Sequence, residues 1–171
     1  MSFGKLLQPN LCLDGSVLKL TPALLAQYQL RGIVFDVDET LVPVGVPEAS
    51  EELLQWANEL KADFSIWLVS NNVSQSRIGR IARALDLPYI AGALKPSRRK
   101  LRQAVNSMGF PADQVAMVGD RLLTDVLAGN RLDMFTILVE PIVDPAEAVR
   151  KHPIRNMEVW ASQLLGVTLR S

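Results

Sequence analysis

Val34-Phe35-Asp36-Val37-Asp38-Glu39-Thr40-Leu41 sets two aspartates one residue apart at the end of an apolar run that begins at Ile33. A run of this kind reads as a buried parallel strand, here over about residues 32–37. Strand side chains alternate faces, so Asp36 and Asp38 share one face if the strand continues. A solvent-exposed turn can carry acidic residues for no chemical reason. These two directly follow a buried strand, where an unpaired carboxylate is costly unless a metal ion or hydrogen-bond donors meet it.

Working outward, the same unit repeats. Glu48 to Lys61 places Leu53, Ala57 and Leu60 on one face, which predicts an amphipathic helix. Ser65 to Val69 is a second strand, and a helix follows over about 75–85 with Ile78, Ile81, Ala82 and Leu85 inward. Tyr89-Ile90-Ala91 is a short strand, and Ser97 to Met108 a helix with Gly109 past its end. Val115 to Val118 is a strand, residues 122–130 a helix, and Thr136 to Val139 the last strand. Alternating β and α units predict an α/β fold: a three-layer, Rossmann-like parallel sheet with helices on both faces. Before it, Thr21 and Pro22 open a short helix as cap and first residue. The lead-in up to residue 30 carries no chemistry.

The bulk numbers fit one domain. The chain has 171 residues, 49% of them hydrophobic, and no formal net charge. A chain of this size buries roughly 70% of its unfolded surface. Neutrality argues against nucleic acid as a partner. One cysteine (Cys12) and one histidine (His152) leave no ligand set for structural zinc. The chain shows no signal-peptide core and no stretch long enough to span a membrane. The expected location is the cytoplasm, or a plastid stroma if a transit peptide has been removed. The core is expected over about 30–142. The tail, 143–171, holds a docking helix at 158–165.

In parallel α/β sheets, ligands bind beyond the carboxyl ends of the strands. Here those ends supply Asp36 and Asp38, then Ser70 and Asn71, then Lys95 in a loop, then Asp120 with Asp125. Carboxylates converging there would repel one another without a cation, and an all-oxygen set suits Mg²⁺. The hydroxyl, amide and ammonium around it suit a phosphoryl group. Singly, Ser70, Asn71, Thr40 and Asp125 read more readily as caps and turn residues. Asp36, Asp38, Lys95 and Asp120 taken together do not.

These residues resemble the haloacid dehalogenase (HAD) superfamily of aspartate-nucleophile phosphatases. All four of its motifs occur in order: Asp36-Val37-Asp38-Glu39-Thr40, Ser70-Asn71-Asn72, Lys95-Pro96, and Gly119-Asp120 through Asp125. The resemblance implies that Asp36 attacks phosphorus and that Asp38 serves as acid and then base. It implies Mg²⁺ held by Asp36, Asp120 and the Asp38 backbone carbonyl, with Asp125 orienting the metal's waters. Ser70 and Asn71 would hold phosphate oxygens, Lys95 would neutralise charge and tether the nucleophile, and Thr40 would position them from behind. Glu39 stands where relatives frequently have Asn, at a position that varies.

One loop and one helix fill the gap from Asp36 to Ser70, and one helix and one short strand fill that from Ser70 to Lys95. Neither has room for a cap domain, so the site is expected to be open to large substrates. Ala93-Leu94-Lys95-Pro96, Leu123 through Arg131 and Thr136 through Ile142 look like the capless class III phosphatases. That class includes enzymes that convert phosphatidylglycerophosphate to phosphatidylglycerol. The implied partner is then an anionic phospholipid, met peripherally at the membrane surface. Arg98, Arg99, Lys100 and Arg102 fit such a surface, and fit equally a solvated basic face. Alternatives are another phosphate ester (a phosphoprotein, a sugar phosphate) or a phosphoacceptor module without turnover.

Overall fold

The structure is a computed structural model that describes residues 3–144, 163 and 166–169. Its centre is β2, Gly32–Phe35, every residue of which is buried. β2 pairs in parallel with β3 (Ser65–Val69) on one side and with β5 (Val115–Gly119) on the other. Beyond β3 lies β4, Tyr89–Ile90; beyond β5 lies β6, Phe135–Leu138. The sixth strand is β1, Leu11–Cys12, on the far edge against β6. The order is β1-β6-β5-β2-β3-β4, all parallel.

Alternation within β2 explains the two outer layers. Ile33 and Phe35 pack on one face, with Leu25 of α2 (Pro22–Gln27), Leu53, Ala57 and Leu60 of α3 (Glu51–Lys61), and Ile78 and Ile81 of α4 (Gln75–Leu85). Val34 packs on the other face, with Leu101, Ala104 and Val105 of α5 (Arg99–Met108) and Ala128 of α6 (Leu127–Asn130). Each buried Val, Leu, Ile or Phe side chain among these contributes about 1.5–3 kcal/mol, so Val34→Asp would break the second layer at its middle. A short α1, Phe3–Leu6, precedes the sheet. Thr21, Ser50 and Ser74 cap α2, α3 and α4 through their hydroxyls, and Gly109 ends α5 in the left-handed region.

Among the described residues, the helices and strands expected from the sequence form, with ends displaced by no more than three residues. Two differences matter. The lead-in, read without a strand, supplies β1: Leu11 sits opposite Ile137 and Cys12 opposite Leu138. The helix expected at 122–130 begins as a π-helical turn, Leu122–Val126, and only then becomes α6. Asn130 ties this region to the N-terminus by donating to the carbonyls of Leu6 and Gln8 and accepting from Thr136. His152, Trp160 and, apart from Gln163, the helix expected at 158–165 lie outside the described residues.

Candidate active site

Because the strands are parallel, the loops after β2, β3, β4 and β5 leave from one edge of the sheet. Asp36 follows β2 directly, its N–H donating to Val118 (2.9 Å). Ser70 follows β3 and donates from its N–H to Ile90 (2.9 Å); Asp120 follows β5. Every candidate chosen from the sequence therefore arrives at one place. A cavity of about 150 Å³ there is lined by Asp36, Asp38, Ser70, Asn71, Lys95 and Arg121, among others. Larger hollows lie by Lys5 and Asn130 and along α5, but neither gathers acidic and basic groups of this kind.

The deepest part is a charge cluster. Lys95 is buried, with its ammonium 2.7 Å from Asp36 Oδ1 and 2.7 Å from Asp125 Oδ1. It donates hydrogen bonds to Asp36 and to the Val69 carbonyl. Its contact with Asp125 is a close ion pair whose geometry is not that of a directed hydrogen bond. Asp120 accepts from the Thr40 hydroxyl at 3.0 Å, and Thr40 is fully buried. Asp125 Oδ2 accepts from the Arg121 N–H (3.2 Å). A Cβ on Gly119 would stand 2.2 Å from Asp125 Oδ2, so only glycine lets this carboxylate reach the cluster.

Three carboxylates against one ammonium leave two negative charges in a buried space. Burial, opposed by Lys95 and reinforced by Asp125, pushes Asp36 up to about 6. Burial and then the Asp36 charge push Asp120 up to about 7, against the Thr40 hydrogen bond. Asp125 is raised by burial also. Burial works to lower Lys95, but the Asp125 and Asp36 charges outweigh it and hold the ammonium above its usual range. Carboxylate oxygens of Asp36, Asp120 and Asp125 all lie within 4.8 Å of one another. An all-oxygen set lacking two positive charges fits a hard divalent cation.

Asp38 stands apart from this cluster. Its carboxylate accepts from Arg77 Nη1 at 2.5 Å on one oxygen and from Asn72 at 2.9 Å on the other. Arg77 also donates to the carbonyls of Pro43 and Val46, which ties the loop after β2 to the start of α4. Sequence reasoning placed Arg77 in a helix and gave it no part. Its only signal was its position in the first turn after the second motif. Asn71 also differs from expectation. Its side-chain amide is engaged with the Lys95 backbone, accepting from N–H at 2.6 Å and donating to C=O at 3.0 Å, so it clamps the Lys95 loop. The Ser70 hydroxyl accepts from the Asn72 N–H. Asp125, expected to act on metal waters, lies beside Asp36 and Asp120 in the same cluster.

A HAD-hydrolase-like family model matches residues 93–164. The probable phosphatase YqeG of Bacillus subtilis is 36% identical over 128 residues, covering 74% of each chain. The chain belongs to the HAD superfamily of phosphatases. Chloroplastic phosphatidylglycerophosphate phosphatase 1 of Chlamydomonas reinhardtii is 29% identical over 143 residues, which span 78% of this phosphatase and 53% of that protein. The fold is shared with a haloacid dehalogenase-like hydrolase from Streptococcus pneumoniae, at a TM-score of 0.53 and 13% identity, over 78% of this chain and 98% of that one. No helix among the described residues is long and apolar enough to cross a membrane.

Proposed function

We propose that this phosphatase hydrolyses a phosphomonoester through a covalent phosphate on Asp36, with Mg²⁺ held by Asp36, Asp120 and the Asp38 backbone carbonyl, and with Asp125 beside them. The supporting observation is the buried cluster in which one lysine meets two of three mutually close carboxylates. When bound, the divalent cation supplies the missing positive charge and lessens repulsion between the phosphate and Asp36.

Lys95 occupies Oδ1 of Asp36, which leaves Oδ2 to attack phosphorus. The bond from phosphorus to the leaving oxygen breaks as the new bond forms, and Asp38 gives that oxygen its proton. Asp38 then takes a proton from the water that attacks the phosphorylated Asp36, releasing inorganic phosphate and restoring the carboxylate. Ser70, a buried residue lining the same cavity, binds a phosphate oxygen. Asn71 contributes by fixing the Lys95 loop and Thr40 by fixing Asp120. Arg77 and Asn72 position Asp38.

The substrate we propose is phosphatidylglycerophosphate. The likeness to the Chlamydomonas enzyme supports it, as does a site with no domain inserted between its motifs. Phosphate release from this lipid in mixed micelles, with Mg²⁺ and with chelator, beside soluble phosphate esters, tests both levels. Mg²⁺-dependent preference for the lipid is expected. Turnover of soluble esters alone would keep the mechanism and remove the lipid. Labelled phosphate retained on the protein without release would mark a phosphoacceptor instead.

A further inference from the structure

Six large apolar side chains are exposed among the described residues, and four of them stand on the segments that build the site: three on loops and Leu123 on the π-helical turn after β5. Val44 follows β2, Val73 follows β3, Leu94 follows β4 and Leu123 follows β5, so all four leave the same edge of the parallel sheet. Single exposed apolar residues need no explanation, but a set confined to one edge does. Val73 is 77% exposed and Leu94 is 70% exposed. Leu94 also has φ 58, a left-handed conformation in which a Cβ is strained and where Gly or Asn is normal. A leucine held strained and in water is doubly unfavourable unless something covers it.

Basic residues flank the same edge. Arg98, Arg99 and Lys100 open α5 immediately after the Lys95 loop, and α5 has no acidic residue in its first turn and no side-chain cap. Cations at a helix N-terminus oppose its dipole, so this placement works against the helix. Arg98 and Lys100 donate to the carbonyls of Arg131 and Ala91. Arg99 and Arg102 are exposed and have no acidic partner among the described residues. Glu39 is the acidic side chain on the cavity wall outside the aspartates.

We infer that this edge docks on an anionic phospholipid bilayer, with Val44, Val73, Leu94 and Leu123 entering the headgroup boundary and Arg99 and Arg102 meeting lipid phosphates. The inference rests on the assignment of this edge as the phosphatase site and names the surface on which its substrate is met. Four separated apolar side chains around a polar mouth do not supply the roughly 800 Å² per partner of a stable protein interface. They do suit shallow insertion beside attractive charge.

The test is co-sedimentation with vesicles of phosphatidylcholine and phosphatidylglycerol in a three-to-one ratio, beside phosphatidylcholine alone. The proteins are the wild type, Leu94→Asn, Val73→Ser and Arg99→Gln. Asn suits the backbone at position 94, so loss of binding there is not loss of folding, and thermal melts check this. Each variant is expected to lower the fraction bound to anionic vesicles, and a further protein carrying both Leu94→Asn and Val73→Ser to lower it by at least about fivefold. Raised salt lowers it as well. Turnover of a soluble ester stays within about twofold of wild type. Wild-type protein that fails to sediment, or variants that bind unchanged, would overturn the inference. So would a concentration-dependent dimer abolished by the same substitutions, which would assign the edge to a second copy. Lipid hydrolysis in micelles without vesicle binding sinks the docking surface alone. Vesicle binding without lipid hydrolysis supports the surface and sinks the proposed substrate.

Discussion

Asp36 and Asp38 are separated by a single residue and occupy opposite settings. Asp36 is buried, pinned by Lys95 and crowded by Asp120 and Asp125. Asp38 is half-buried and held by Asn72 of the loop after β3 and by Arg77 of α4. Desolvation dominates the first and directed hydrogen bonds govern the second. In the mechanism we propose, the first carboxylate faces a cation and a phosphorus atom and the second exchanges protons. The difference arises from the turn that begins at Asp38, where Glu39 takes φ 64 and the chain leaves the strand line.

If the two settings are distinct, their substitutions differ in kind. Asp36→Asn removes the attacking atom, and kcat is expected to fall at least about a thousandfold for every ester. Substantial Mg²⁺-dependent turnover by this variant would dissolve the distinction. Asp38→Asn is expected to cost about 10²–10⁴-fold with poor leaving groups and much less with nitrophenolate-like ones, read from rates across an ester series. Arg77→Gln should show the same leaving-group dependence at roughly 10–100-fold, with partial rescue by Arg77→Lys. An equal loss on all esters would make Arg77 structural only.

The smallest effect concerns pH. With a chelator present, Asp36 and Asp120 keep protons up to about 6 and about 7, while the unfolded chain loses them near 3.8. The folded state then binds more protons between these values, so stability falls as pH rises through the window. A metal-free sample is expected to melt a few degrees higher at about pH 5 than at about pH 7.5, since about 1 kcal/mol moves Tm by roughly 2–4 °C at this size. Saturating Mg²⁺ should flatten or reverse that slope, because it binds the deprotonated cluster. An unchanged slope would separate the cluster from the cation.

Much of this was legible in the chain. Apolar runs of strand length between amphipathic helices determined a parallel α/β sheet, because side-chain period and connection length leave few other folds. Residue types at the strand ends determined which groups meet, because parallel strands send their carboxyl ends to one edge. Packing alone decided the rest. β1 is two residues long and shows no pattern; it exists because β6, more than 120 positions away, offers an open edge. Asn71 reads as a phosphate ligand until the Lys95 backbone is seen to occupy its amide. Arg77 meets Asp38 across 39 positions, which no local periodicity encodes. The edge lined by Val44, Val73, Leu94 and Leu123 appears only when four distant segments are brought side by side. Local chemistry is written in the sequence because it depends on residue type and spacing. Pairing between distant loops is not, because it depends on where the folded backbone leaves each side chain.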